Sequence, residues 1–165
     1  AEGIENGLLD VGLGCFPTGA EADWIPLFDD CLMAVIPPES DVGGLRAFPI
    51  ESFDRAPFIA LPETYDLEVQ TVLQKNHIRP DVKFSSTDDY TIVAMVEQGL
   101  GYSILPQLVM QCYRHRNVQT LPLEPYCARR LGIVLPSLKS ASPATKKFIQ
   151  YARAIIDAET GGGNG

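Results

Sequence analysis

Residues 86–106 read STDDYTIVAMVEQGLGYSILP, and the rest of the chain can be read outward from this run. Its first residues favour a helix start, because Ser86, Thr87 and Asp88 all carry side-chain oxygens that accept hydrogen bonds from unpaired backbone N–H groups. Ser86 and Asp89 also fit a weak capping box. Unpaired N–H groups and the positive end of the helix dipole favour a bound anion, so we expect chemistry to gather here unless these residues only cap the helix.

The remainder of this run predicts a helix, a glycine turn and a buried strand. The apolar residues at helical spacing are Ile92, Met95 and Val96. Gly99 and Gly101 then end the helix, since glycine readily adopts the left-handed conformation found there. Ile104-Leu105 before Pro106 predicts a short strand that ends where proline removes a backbone donor.

Helical and strand patterns alternate along the whole chain. Residues 9–14 and 57–61 predict buried strands, and residues 24–28 predict an edge strand that is broken by Asp29-Asp30. The last helix is predicted to begin at Ser142, followed by Pro143. Its predicted apolar face comprises Phe148, Ala152, Ile155 and Ile156. Such alternation favours an α/β protein with mostly parallel sheets.

The composition of the chain argues against binding to nucleic acid and against a membrane span. The 165 residues suffice for one domain core or two small lobes, and the formal net charge of −8 is the wrong sign for binding nucleic acid. No apolar run reaches the length of a membrane span, and no leader precedes the patterned sequence. Because the chain begins at Ala1, we expect a segment upstream of it.

Little in the sequence points to an enzyme or a cofactor. The adjacent acids Asp29-Asp30 and Asp88-Asp89 fit turns and caps better than a catalytic pair. His77 and His115 have no second ligand at metal spacing, so neither a metal nor another cofactor is expected.

The four cysteines form no CxxC pair; they are Cys15, Cys31, Cys112 and Cys127. We expect free thiols, as in a protein of the reducing cytosol. Disulfide formation remains the alternative if the protein is exported.

Five segments together resemble one family. Residues 7–13, Leu27, residues 32–35, residues 57–59 and above all residues 96–106, VEQGLGYSILP, are similar to the effector-binding domain of LysR-type transcriptional regulators. The matching segments follow the family's order from residue 2 to about 157.

The resemblance implies a type 2 periplasmic-binding-protein-like fold with two α/β lobes and a cleft between them. One lobe would hold residues 1–31 and 127–165, the other residues 32–126, and residues 161–165 would form a flexible tail. The opening strand, helix and second strand of the first lobe, and the winged helix-turn-helix with its linker helix, would lie outside this chain.

The resemblance also implies ligand-facing positions. These are Cys15, Phe16, Pro62, Glu63, Thr64, Tyr65, Ser86 and Thr87. Thr64, Ser86 and Thr87 would donate hydrogen bonds to a small carboxylate or polar metabolite, and Phe16 and Tyr65 would form an apolar wall. Some members that sense aromatic acids carry arginine where Cys15 and Cys31 stand, so a dianionic aromatic effector is not expected. Each position has an alternative role in packing or capping.

The function implied is that of a cytoplasmic ligand-sensing domain without chemistry. It would form homodimers or tetramers and would reach DNA only through the helix-turn-helix absent from this chain. A solute-binding protein of a transporter shares the fold and is the alternative. A small hydrolase or transferase that uses a cysteine is a third interpretation.

Overall fold

The computed structural model describes residues 4, 9–15, 22–62 and 67–161. In chain order its elements are β1 (Gly12–Cys15), β2 (Asp23–Ile36), β3 (Phe48–Pro49), a 3₁₀ helix (Ile50–Phe53), β4 (Pro57–Ala60), α1 (Leu67–Lys75), β5 (Asp81–Ser85), α2 (Asp89–Glu97), β6 (Ser103–Pro106), α3 (Gln107–Cys112), β7 (Gln119–Glu124), β8 (Ala128–Leu135) and α4 (Pro143–Gly161). They fall into two compact units: unit 1 is Ala1–Asp29 with Arg130–Gly165, and unit 2 is Asp30–Arg129. Among the described residues, no helix is both long and apolar enough to cross a bilayer.

Unit 1 packs α4 against strands from both ends of the chain. β1 pairs antiparallel with β8, from Gly12 opposite Val134 to Cys15 opposite Leu131. The core of this unit contains Ile133, Leu135 and Ile149, with Ala152 packed at its side. The strand predicted at residues 9–14 therefore starts later, at Gly12. It is also less buried than predicted, because Leu13 is 68% exposed.

The last helix begins as predicted but buries a different face. The Ser142 hydroxyl accepts a hydrogen bond from the Thr145 N–H at 3.1 Å, which caps α4. Ile149 is buried, whereas Phe148 and Ile155 are 44% and 60% exposed. The predicted face is thus right for Ala152, which packs against this core, and wrong for Phe148 and Ile155.

In unit 2, β2 lies between two antiparallel neighbours. Met33 pairs with Leu105 of β6 on one side and with Pro122 of β7 on the other. β3 pairs with β7, and β4 pairs with β5, in parallel. The described sheets are therefore mixed in direction rather than mostly parallel, because β2 meets returning strands.

The helices of unit 2 bury separate faces of the strands. Val69 and Leu73 of α1 join a core that contains Phe53 and Phe58. Ile92, Val93 and Val96 of α2 join a second core with Ile59 and Leu105. Each such side chain, fully buried, stabilises the fold by about 1.5–3 kcal/mol before entropic costs.

Asp29 and Asp30 do not break β2, and the prediction that they would is wrong. The strand runs unbroken from Asp23 to Ile36. Asp30 has a side chain only 1% exposed and accepts from Arg129 Nη2 at 2.9 Å, while Asp29 pairs with Arg130 at 2.7 Å. The Leu108 N–H of α3 also donates to Asp30 at 3.0 Å. Acids are tolerated inside this strand because guanidinium groups compensate their charge.

Two further contacts shape the ends of unit 2. Gln119 Nε2 donates to the carbonyl oxygens of Pro37, Pro38 and Ser40 at 2.9–3.2 Å, which holds the loop after β2. At Gly101 a Cβ atom would lie 2.7 Å from the Pro57 carbonyl oxygen. Only glycine allows the chain to approach β4 this closely.

We expect Gly101→Ala to destabilise unit 2 by about 1–3 kcal/mol, because the new methyl group forces the backbone away from Pro57. Gly14→Ala is the matched control, since a Cβ there meets nothing within 4 Å. Its effect should stay within about 0.5 kcal/mol. Urea unfolding followed by far-UV circular dichroism measures both, and equal losses would contradict the close-approach argument.

We expect Asp30→Ala to cost about 3–5 kcal/mol, because it leaves the partly buried Arg129 guanidinium without its carboxylate. Asp29→Ala removes the neighbouring exposed pair and should cost far less. The same unfolding experiment compares the two variants. Similar losses for both would mean that burial does not distinguish the two pairs.

Candidate functional site

The carboxyl ends of β4 and β5 meet at one edge of unit 2. Ala60 stands opposite Ser85 in the parallel pair, and the Ser86 N–H donates to the Ala60 carbonyl at 3.1 Å. Pro62 follows β4, and Ser86 with Thr87 follows β5. Three of the predicted site residues therefore lie at the same strand ends, directly before the start of α2.

The remaining predicted positions are less defined by the structure. Cys15 ends β1 in unit 1 and is half-buried. Phe16, Glu63, Thr64 and Tyr65 lie outside the described residues. Their ligand roles stay predictions.

Asp88, rather than Ser86, caps α2. Its carboxylate accepts from the Thr91 N–H at 2.9 Å and from the Thr91 hydroxyl at 2.5 Å. The Ser86 hydroxyl accepts from the Asp88 N–H at 3.1 Å. The predicted capping box of Ser86 with Asp89 is therefore wrong, because the chain turns through Ser86 and the helix begins one residue after Asp88.

Two carboxylates of unlike character stand at this helix start. Hydrogen bonds from the Thr91 hydroxyl and N–H hold the pKa of Asp88 below its ordinary value of 3.8. Burial and the neighbouring Asp88 raise the pKa of Asp89, an effect that the positive charge of Arg129 opposes. The place where a helix start would receive an anion is thus already taken by the Asp88 carboxylate.

This edge of unit 2 can both donate and accept hydrogen bonds. Thr87 is exposed and Ser86 is half-buried, while Asp88 presents an exposed carboxylate. Such groups fit a polar small molecule with hydroxyl or amine donors. Among the described residues, no group of three or more His, Cys, Asp or Glu side chains could hold a metal ion.

Arg129 is a charged residue near this edge that sequence reasoning missed. It lies in β8, and its Nε donates a hydrogen bond to Asp30 at 3.0 Å. Its positive charge opposes the rise in the pKa of Asp89. A signal existed, because the pair Asp29-Asp30 in one strand is matched by Arg129-Arg130 in a later one. Reading the two pairs together would have predicted neighbouring strands.

Two thiols of unit 2, those of Cys31 and Cys127, are not activated nucleophiles. Burial and the charge of Asp30 raise the pKa of Cys31, and burial raises that of Cys127. A reactive cysteine needs the opposite shift. The interpretation as a cysteine enzyme is therefore not supported at these two positions.

Polar side chains at the carboxyl ends of parallel strands are the kind of edge at which α/β domains bind small molecules. The family profile described as "LysR substrate binding domain" matches residues 1–156. The chain belongs to this family, and its type 2 periplasmic-binding-protein-like fold is as the resemblance implied.

Two curated relatives are similar to this chain in sequence, and one solved structure is similar to it in fold. An uncharacterized HTH-type transcriptional regulator, YvbU of Bacillus subtilis (strain 168), is 27% identical over 96% of this chain and 54% of its own length. A probable hydrogen peroxide-inducible genes activator of Mycobacterium leprae (strain TN) is 26% identical over 94% of this chain and 52% of its own. The regulatory domain of Synechocystis PCC6803 CcmR, solved with 2-PG, is 19% identical over 94% of this chain and 77% of that domain, with a TM-score of 0.83.

The chain spans about half the length of these curated relatives. They are named as transcriptional regulators or activators, neither as enzymes nor as transport proteins. The expectation that the domain is not an enzyme agrees with this, and the solute-binding alternative is not favoured.

The Asp88 cap should give α2 a pH-dependent stability. The pKa of Asp88 is lowered on folding, so its contribution is present above the ordinary value of 3.8 and is lost as pH falls through the lower folded pKa. Asp88→Asn removes this contribution, so the melting temperatures of the two proteins should differ by a constant amount above pH 3.8 and converge as the pH falls below it. Thr91→Val keeps the carboxylate but removes the strongest donor, and should give a smaller difference of the same sign. A gap between wild type and Asp88→Asn that does not change with pH would contradict the assignment.

Proposed function

We propose that this chain is the effector-sensing part of a bacterial LysR-family transcription regulator. The observation that carries the proposal is the shared strand edge of unit 2, where Pro62, Ser86 and Thr87 stand before α2 in a chain of this family. The predicted contacts Cys15, Phe16, Glu63, Thr64 and Tyr65 complete the proposed set.

The two units correspond, in this proposal, to the two lobes expected for the fold. The strands β2 and β8 contribute residues to both units. A conformational change in unit 2 can therefore be transmitted to unit 1 along these two strands. Effector binding would shift the equilibrium between two states by its difference in affinity for them. The signal would pass through a homodimer or tetramer to a winged helix-turn-helix outside this chain, in the cytoplasm.

The electrostatics of α2 narrow the effector class. Because the Asp88 carboxylate occupies the helix start, a ligand that binds there through a carboxylate alone would meet like charge. A metabolite whose hydroxyl or amine groups donate to Asp88 and accept from Thr87 fits better. The CcmR and QuiR domains were solved with 2-PG and shikimate, which supports a small polar ligand for this fold.

Direct sensing of peroxide has less support. Three relatives are named as probable hydrogen peroxide-inducible genes activators. However, the pKa values of Cys31 and Cys127 are raised, and the thiolate is the form that peroxide oxidises. We therefore favour a non-covalent effector.

A thermal-shift screen of hydroxylated acids, amino acids, sugars and simple carboxylates tests the proposal. A ligand present at about a hundred times its Kd should stabilise the chain by about 2.7 kcal/mol. Thr87→Val should reduce the shift, whereas Thr120→Val, at an exposed position of β7, should leave it unchanged. A hit that both variants bind equally would place the ligand elsewhere. The absence of any hit from a well-folded chain would count against a small polar effector.

A further inference from the structure

The helices α1 and α2 end in the same hydrogen-bonded motif but with different residues at its left-handed position. In α2 the Leu100 N–H donates a hydrogen bond to the Met95 carbonyl oxygen at 3.1 Å. In α1 the Ile78 N–H donates to the Leu73 carbonyl oxygen at 2.9 Å. The left-handed residue is Gly99 in α2, with φ of 73°, and His77 in α1, with φ of 59°. Glycine is the usual residue because a Cβ is disfavoured there. The imidazole at His77 is therefore kept at a cost in stability.

A second basic residue close by has the same backbone conformation. Arg55 has φ of 58°, and it and His77 are the two non-glycine residues with positive φ in the described part of the chain. The Arg55 N–H donates to the Arg79 carbonyl at 3.0 Å, so both left-handed residues lie beside the segment around Arg79. Strained backbone of this kind concentrates at ligand sites.

The same segment lines a cavity of about 300 Å³. Its lining residues are Gln74, His77, Ile78 and Arg79. Three of them bring an amide, an imidazole and a guanidinium, and Ile78 is a buried apolar side chain. None of the described residues that line the cavity carries a carboxylate, although the chain has a formal net charge of −8.

The Arg79 guanidinium is available to bind a ligand, as far as the described residues show. In the described residues, neither the Arg79 guanidinium nor the His77 imidazole makes a side-chain hydrogen bond or ion pair. The neighbouring acid is Asp54, which accepts from the Arg79 backbone N–H at 3.0 Å and lies 3.8 Å from Arg55 Nε. Basic residues at a helix end also offset the helix dipole. That role would account for Lys75, but it explains neither the left-handed histidine nor Arg79, which lies beyond the helix.

We propose that this cavity binds a small oxyanion, the phosphate or carboxylate group of a metabolite. Arg79 supplies the paired donors that suit an oxyanion, and His77 and Gln74 add donors that offset the negative dipole at the C-terminal end of α1. Arg79 precedes β5, whereas Ser86 follows its other end. The site is thus separate from the edge proposed for the effector.

The test is isothermal titration of the whole 165-residue chain with inorganic phosphate and, in parallel, with acetate at constant ionic strength. Saturable binding with a Kd of about 1 mM or tighter is expected for one of them. Arg79→Gln should weaken it by roughly tenfold or more. His77→Gly should weaken it several-fold while raising the melting temperature, because glycine relieves the left-handed backbone. The preferred anion identifies the group that the cavity recognises.

Two controls make the result specific. Lys83→Gln removes a basic residue of the same unit that is paired with Asp81 at 2.6 Å, and it should leave binding unchanged. Thr87→Val should also leave it unchanged, which separates this site from the effector site. If Arg79→Gln fails to fold by circular dichroism, Gln74→Leu tests the cavity from α1. No saturable binding up to roughly 10 mM, or equal loss in Lys83→Gln, would overturn the proposal.

Discussion

The ion pair between Asp30 and Arg129 is the constraint on which unit 2 depends. A carboxylate that is almost fully buried must be compensated, and here a guanidinium with two hydrogen bonds and the Leu108 N–H share it. Three elements, β2, β8 and α3, are thereby held to a single side chain. The neighbouring pair of Asp29 with Arg130 repeats the pattern in unit 1 with exposed side chains. Burial is what makes one pair structural and leaves the other a surface contact.

Local signals in the sequence predicted much of the fold. The start of α4 at Ser142 and the turn at Gly99 depend on residues within one helical turn, and both are where the pattern placed them. Features that depend on distant partners were not predicted. Asp30 reads as a strand breaker until Arg129, 99 residues away, is known to pair with it. The buried face of α4 likewise depends on the strands that it meets.

The candidate site follows the same rule: its local features were predictable from the sequence, and those that depend on distant residues were not. Parallel strands bring their carboxyl ends together, so the grouping of Pro62 with Ser86 follows from recognising β4 and β5. The choice between Ser86 and Asp88 as the cap depends on one turn of backbone geometry that the composition does not decide. The charge of Arg129 near Asp89 comes from a strand that is distant in the sequence. The sequence therefore predicted that hydroxyl groups lie at this edge of unit 2. It did not predict the charges that surround the start of α2.

The discontinuity of unit 1 has a consequence for biosynthesis. Unit 2 is one continuous stretch, Asp30–Arg129, whereas unit 1 combines residues before Asp30 with residues from Arg130 onward. During translation unit 2 can fold as soon as it leaves the ribosome, but β1 must wait for β8 before it gains its antiparallel partner. Such high contact order slows folding, and the exposed Leu13 of β1 is open to other hydrophobic surfaces during the delay. Cellular chaperones would therefore act mainly on β1 until β8 has been synthesised.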